Sequence, residues 1–168
     1  MKTRDLITSL LFLSTGLLLM CVGRASAEGG DSVRVISLST SGFEQAHSVA
    51  YSSDGKFLAV GGTSGIYLFD NLKSSSPDLI ETGAWAHSVA FLPGKDILAA
   101  GLFDDTVKMW TVPGRQSTRT LPGPQGWVRS IAFSRDGRLL AAASDDNTVR
   151  IWNAAQGSNT LRQSVRHD

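Results

Sequence analysis

Paired carboxylates at Asp104-Asp105 and Asp145-Asp146 are the residues of this 168-residue chain that most invite a chemical reading, because they occupy equivalent places in two similar segments. Two adjacent acids could hold a divalent cation. A calcium loop, however, spaces its oxygen ligands at alternate positions around a glycine, and neither pair has that spacing. An Asp that opens a β-turn accepts hydrogen bonds from the backbone N–H groups that follow it, so the pairs read as turn residues that start a strand. His47, His87 and His167 are too few and too dispersed to spell a metal centre. Ser, His and Asp are all present, but no Gly-x-Ser-x-Gly elbow accompanies them, and no phosphate-binding glycine loop opens a helix. The expectation is a protein without a catalytic set, a metal site or a cofactor.

Both acid pairs sit inside a longer unit that recurs three times. The copies begin at Ser48 (SVAYSSDGKFLAVGGTSGIYLFD), Ser88 (SVAFLPGKDILAAGLFDDTVKMW) and Ser130 (SIAFSRDGRLLAAASDDNTVRIWN), at offsets of 40 and 42 residues. A period of this length marks architectures in which one supersecondary unit buries its faces only against its neighbours. Short runs rich in Val, Ile, Leu and aromatics, with a turn signal every eight to twelve residues, predict strands rather than helices. A first strand such as Ser130 to Ser134 runs into Asp136-Gly137, and Asp54-Gly55 repeats the pattern, which predicts a tight hairpin. Pro93-Gly94 takes that place in the second copy and suits a type II turn. Second strands are expected at Phe57 to Gly61, Ile97 to Gly101 and Leu139 to Ala143, where Ala and Gly let neighbouring sheets approach. Third strands follow at Ile66 to Phe69, Val107 to Trp110 and Val149 to Trp152, and polar outer strands at Leu79 to Thr82, Thr118 to Leu121 and Thr160 to Val165.

These residues resemble the tryptophan-aspartate (WD) repeat family, most closely in SRDG followed by ASDDNTVRIWN, where Trp152-Asn153 stands for Trp-Asp. DDTVKMWT with Trp110-Thr111 and SGIYLFD with Phe69-Asp70 are the weaker matches, and the resemblance covers Ser32 to the C-terminus. It implies an all-β fold of about three four-stranded antiparallel propeller blades in an open or incomplete ring, with repeats at about 40–82, 83–123 and 124–168. The family often links a His, a Ser or Thr, an Asp and the Trp in a buried hydrogen-bond network. Of that structural motif this chain keeps Asp104 and Trp110 in the second copy, and Ser144, Asp146 and Trp152 in the third. Thr82 and Pro124 stand at the His positions and Leu102 at one Ser position, so no copy has the whole network. The blades are therefore expected to rest on apolar packing and turn hydrogen bonds. Ser52-Ser53-Asp54-Gly55 and Ser134-Arg135-Asp136-Gly137 approach the Asp-box of sialidase propellers, but that box separates Asp from Gly by one residue.

One recurring set points to binding. His47, His87 and Arg129 each precede the Ser that opens a copy, and Gln45, Trp85 and Trp127 stand two residues earlier. Equivalent positions of successive blades ring one end of a propeller, so the candidate protein-interaction rim is His47, His87, Arg129, Trp85 and Trp127. The competing reading has Trp85 and Trp127 closing the packing between blades. Three copies fall short of the four to eight blades of a ring, and Val33 to Leu38 reads as a strand that would complete another blade. An open arc exposes apolar faces, which leaves two readings: self-association that completes the propeller, or a fragment of a longer propeller.

The N-terminus reads as a leader rather than fold. Lys2 and Arg4 precede an apolar run at Leu6 to Gly23, and Ala25-Ser26-Ala27 is a small-x-small cleavage pattern, so residues 1–27 are expected to be a secretory signal peptide and 28–168 the folded part. An uncleaved membrane anchor is the alternative. Cys21, the one cysteine, lies in that leader, and Met20 before it is too large for a lipid-attachment site. Residues 28–168 carry 13 Lys and Arg against 14 Asp and Glu, which makes no electrostatic case for nucleic acid or an acidic membrane. The sequence thus leads to an exported, non-catalytic WD-type scaffold with a protein partner. The alternatives are a periplasmic TolB-like or lactonase-like propeller that binds or hydrolyses a small molecule, and a truncated product with no function of its own.

Overall fold

The computed structural model describes residues 45–70, 77–121, 124–154 and 161–166. The expected signal peptide, the strand expected at Val33 to Leu38, and His167 lie outside the described residues. Every regular element among the described residues is a strand. The first sheet contains β1 (Ala46–Tyr51), β2 (Phe57–Gly62), β3 (Gly65–Asp70) and β4 (Asp78–Glu81). The second contains β5 (Ala86–Phe91), β6 (Ile97–Leu102), β7 (Val107–Thr111) and β8 (Ser117–Leu121). The third contains β9 (Val128–Phe133), β10 (Leu139–Ser144), β11 (Thr148–Asn153) and β12 (Leu161–Arg166). Each sheet is an antiparallel meander in chain order. Among the described residues no helix is long and apolar enough to cross a membrane.

Alternation along the strands decides how the sheets stack. Phe57, Ala59, Ile66, Leu68 and Ile80 of the first sheet pack against Val89, Phe91, Leu98, Leu102 and Trp110 of the second. The intervening residues of the second sheet, Ala99, Val107, Met109 and Leu121, pack against Val128, Ile131, Leu140, Ala142 and Trp152 of the third. The middle sheet is therefore apolar on both faces, which is why its second strand reads as an unbroken run, Ile-Leu-Ala-Ala-Gly-Leu. Each fully buried aliphatic side chain contributes roughly 1.5–3 kcal/mol by leaving water.

The small residues set the spacing of these seams. A Cβ on Gly61 would lie 2.5 Å from the Ala86 carbonyl oxygen, and one on Gly101 would lie 2.4 Å from Val128 Cγ1. At both equivalent positions only hydrogen leaves room for the first strand of the next sheet. The serine that opens each copy fastens the same seam. Ser48 Oγ accepts the Val89 N–H at 3.1 Å, and Ser88 Oγ accepts the Ile131 N–H at 3.1 Å.

Two expectations change. The first strands begin two residues before the repeated serines, at Ala46, Ala86 and Val128. The Asp-Gly connections are five-residue loops rather than two-residue hairpins, because β1 ends at Tyr51 and β2 starts at Phe57. Gly55 donates its N–H to the Ser52 carbonyl at 2.9 Å and takes φ 71°, whereas a type I′ hairpin would place Asp54 at positive φ as well. The Ser and Asp of the motif act instead as a clasp. Ser52 Oγ donates to Asp54 at 2.7 Å and accepts the Phe57 N–H at 2.9 Å, and Asp54 accepts the Lys56 N–H at 3.1 Å. The same three contacts recur at Ser134, Asp136, Arg138 and Leu139. The Ser52 hydroxyl and then the Lys56 N–H hold the Asp54 carboxyl down at about 2.

Candidate protein-interaction rim

Pairing register explains how His47, His87 and Arg129 come to face outward at one end of the molecule. Ala46 pairs with Gly62 and Ser48 with Gly61, so His47 is the extra residue of a β-bulge. Ala86 pairs with Leu102 and Ser88 with Gly101, which leaves His87 unpaired in the same way. Val128 pairs with Ser144 and Ser130 with Ala143, so Arg129 is the third member. A bulge turns its extra side chain away from the regular alternation. One recurring irregularity thus delivers three side chains to one rim.

The turns between second and third strands complete that rim. Phe103 donates its N–H to the Trp85 carbonyl at 3.1 Å, and Asp145, 42 residues later, donates to the Trp127 carbonyl at 3.0 Å. These bonds hold each turn against the residue two places before a bulge. The result is a run of stacked rings across the three sheets. His47 and His87 have centroids 5.1 Å apart and planes 15° apart, His87 and Phe103 stand at 5.2 Å and 15°, and Phe103 and Trp127 at 4.4 Å and 9°. Trp85 lies 5.2 Å from Phe103. The Arg129 guanidinium sits 5.2 Å from the Phe103 centroid and 5.1 Å from that of Trp127, within cation–π range.

Polar contacts orient the set. Arg129 makes a two-pronged bond to Asp145, Nε at 2.8 Å and Nη2 at 2.7 Å. Through that hydrogen bond, Asp145 is held below the ordinary carboxylate range and Arg129 is raised. His87 Nδ1 donates to the Arg129 carbonyl at 3.0 Å, which fixes the proton on Nδ1. His47 Nε2 is covered and meets no hydrogen-bond partner among the described residues. Burial, followed by the neighbouring His87, lowers the His47 pKa.

The structure brings together all five residues proposed for the rim and adds Phe103 and Asp145. Trp85 and Trp127 are each 46% exposed, so they cap the rim rather than filling the seams. Gln45 stays outside the stack, exposed, with its N–H 3.4 Å from Thr63 Oγ1. Phe103 had a readable signal: counting 18 residues on from Trp85 and from Trp127 lands on Phe103 and Asp145.

The structural motif residues lie elsewhere. Trp110 is buried in the first seam and Trp152 in the second. Asp104 accepts the Thr106 N–H at 3.2 Å and pairs with Lys108 at 3.0 Å. Burial alone would raise the Asp104 pKa, but Thr106 and Lys108 outweigh it and the net direction is down. Asp146 repeats the arrangement with Thr148 at 3.0 Å and Arg150 at 2.6 Å, and also accepts the Gln125 N–H at 2.8 Å. Ser144 Oγ donates to the Gly126 carbonyl at 2.7 Å and accepts the Asp146 N–H at 3.2 Å. Where the family network would reach the tryptophan, Trp152 Nε1 is buried and meets no acceptor among the described residues. Among the described residues no group of three His, Cys, Asp or Glu side chains could hold a metal ion.

Three consecutive four-stranded meanders, stacked face to face with seams built from a forty-residue repeat, define a protein of propeller-blade type. The comparisons agree with that class. The family model for the WD domain, G-beta repeat, matches residues 80–111 and 115–153. Over these two stretches the chain is similar to the WD repeat. No curated protein matches it. The first matched segment begins on β4 and ends on β7, and the second begins two residues before β8 and ends on β11, so each runs from the outer part of one sheet through the third strand of the next. WD repeats suggest a protein-interaction scaffold.

Proposed function

We propose that this protein is an exported, non-catalytic WD-repeat scaffold whose partner docks on the rim formed by His47, Trp85, His87, Phe103, Trp127 and Arg129. The observation that carries this reading is the ring stack. Two half-exposed tryptophans flank a preassembled aromatic surface, and Trp and Arg are the side chains that most often dominate protein–protein binding energy. The stack is fixed by backbone bonds from Phe103 and Asp145, so a partner would lose little entropy in ordering it. The apolar run at Leu6 to Gly23 with Ala25-Ser26-Ala27 supports export.

The test is co-precipitation from the compartment that receives the protein, comparing the parent chain with one in which His47, His87 and Arg129 are all replaced by Ala. Captured partner is expected to fall at least tenfold, with the far-ultraviolet circular dichroism spectrum unchanged because all three residues occupy bulges rather than seams. Undiminished capture rejects the rim.

A further inference from the structure

We propose that the stacked imidazoles of His47 and His87 make the docking rim acid-sensitive: the aromatic surface is assembled while both rings are neutral, and a partner seated on it is released when they take up protons. The proposal deepens the docking reading of the rim and rests on it.

The surroundings of His47 offer no good place for a second proton. Its ring stacks on His87 with centroids 5.1 Å and planes 15° apart, on Trp85 at 6.0 Å and on Phe103 at 6.5 Å. An imidazolium donates from both ring nitrogens, but His47 Nε2 is covered and meets no acceptor among the described residues. With the proton on Nδ1 alone, Nε2 is an unused lone pair. In the cation it becomes a covered N–H with nothing to bind, which is the costlier state. The Trp85 face, at the limit of cation–π range, offsets little of that cost. Burial first, and a charge on His87 second, hold the His47 pKa below the ordinary imidazole value.

His87 is the second half of the device. Its Nδ1 donates to the Arg129 carbonyl at 3.0 Å, so it takes a further proton only at Nε2, and the ring keeps its place as it charges. Two imidazolium rings 5.1 Å apart then repel face to face. The charged groups around the pair do not cancel this. Asp145 of the third sheet acts on His87 but is engaged by Arg129 through two bonds, so together they bring no net charge. In the turn between β6 and β7, Asp104 is turned to Thr106 and Lys108, and among the described residues Asp105 pairs with neither ring. The turn at Thr63 and Ser64, and the segments Thr82 to Trp85 and Gln125 to Trp127 that lead into β5 and β9, carry no titratable group. A partner seated on the rim covers His47 further. It therefore competes with the proton, and by linkage each weakens the other by the same factor.

Two measurements decide it. The histidine Hε1 resonances of the purified chain, followed by NMR from about pH 8 to about pH 5, are expected to give His47 a midpoint below 6.5, and His87→Gln is expected to raise that midpoint by removing the neighbouring charge. A His47 midpoint at or above 6.5 overturns the proposal. So does a midpoint that His87→Gln leaves in place while the circular dichroism spectrum stays that of the parent. The second measurement is co-precipitation at about pH 7.5 and about pH 5.5, following the species that the chain with His47, His87 and Arg129 all replaced by Ala fails to retain. Its capture is expected to fall at least about threefold in acid, and most of that fall to disappear in His47→Phe, which keeps a ring in the stack but takes no proton. Capture equal at the two pH values overturns the switch and leaves the docking reading intact, and a fall that persists in full in His47→Phe does the same. Capture indifferent to the triple replacement overturns the docking reading and the release with it. Should a single variant lose the parent spectrum, the midpoint and the capture ratio of the unsubstituted chain decide alone.

Discussion

Trp152→Ala is expected to lower the unfolding free energy by about 3–5 kcal/mol, a large fraction of the roughly 5–15 kcal/mol that holds a domain folded. Trp152 is fully buried in the second seam, on β11, with Leu140 opposite it on β10. Removing the indole deletes the largest side chain of that seam and leaves a cavity between two sheets that Gly101 and Val128 already hold in close contact. The site has little freedom to collapse. Trp152→Phe should behave differently, because Trp152 Nε1 is a buried donor with no acceptor among the described residues, and an unmet donor costs about 1–3 kcal/mol. Phenylalanine loses contacts but also removes that penalty. Urea denaturation followed by circular dichroism is expected to show Trp152→Phe losing less than half of what Trp152→Ala loses. Equal losses would mean that the indole N–H is in fact satisfied.

Asp146→Ala is expected to cost about 3 kcal/mol, at the lower end of the range for removing one partner of a covered ion pair. Its carboxylate takes bonds from Gln125, Thr148 and Arg150, and both members of the Asp146–Arg150 pair retain only 11% side-chain exposure. Without it, Arg150 keeps its charge in a covered place. The Arg129–Asp145 pair is the internal contrast: at 43% and 42% exposure, water screens it and it should contribute far less despite its two-pronged geometry.

The pH dependence follows from the same contacts. Burial by itself raises the Asp146 carboxyl, but Thr148, Gln125 and Arg150 together hold it well below its ordinary value. A group depressed in the folded state contributes its full stability above the unfolded pKa, about 3.9, and loses it as pH falls through the folded value. The stability gap between the parent and Asp146→Ala should accordingly be constant near neutrality and shrink below about pH 4. A gap that does not change between pH 7 and 3 would show that the hydrogen bonds, and not the charge, carry the effect.

The blades were legible because their signals are local. Val-Lys-Met-Trp and Thr-Val-Arg-Ile-Trp alternate as strands must, and the offsets of 40 and 42 residues put Ser48, Ser88 and Ser130 in register. The two-face burial of the middle sheet was foreshadowed by Ala99, Ala100 and Gly101. The bulges were not legible, since an extra residue in β1, β5 or β9 exists only relative to the strand it pairs with. The clustering of His47, His87, Arg129, Trp85 and Trp127 was therefore legible, while the bulges that place them were not. Phe103 stands at the same 18-residue offset from Trp85 as Asp145 does from Trp127, but that spacing gains meaning only through the backbone bond that ties each turn to its tryptophan. The clasp at Ser52 and Asp54 looked like a two-residue hairpin because Asp-Gly favours one, but side-chain bonds to Phe57 and Lys56 stabilise the longer loop.

That the rim is a protein-docking surface is tested most directly by photo-crosslinking in cells, with benzoyl-phenylalanine placed at Trp127 in one chain and at Arg135 in another. Both positions are exposed, but Trp127 lies on the stack and Arg135 in the loop at the opposite end of β9. A crosslinked adduct is expected from position 127 and not from 135. An adduct from 135 alone would contradict the assignment and move the docking surface to the other end of the blades.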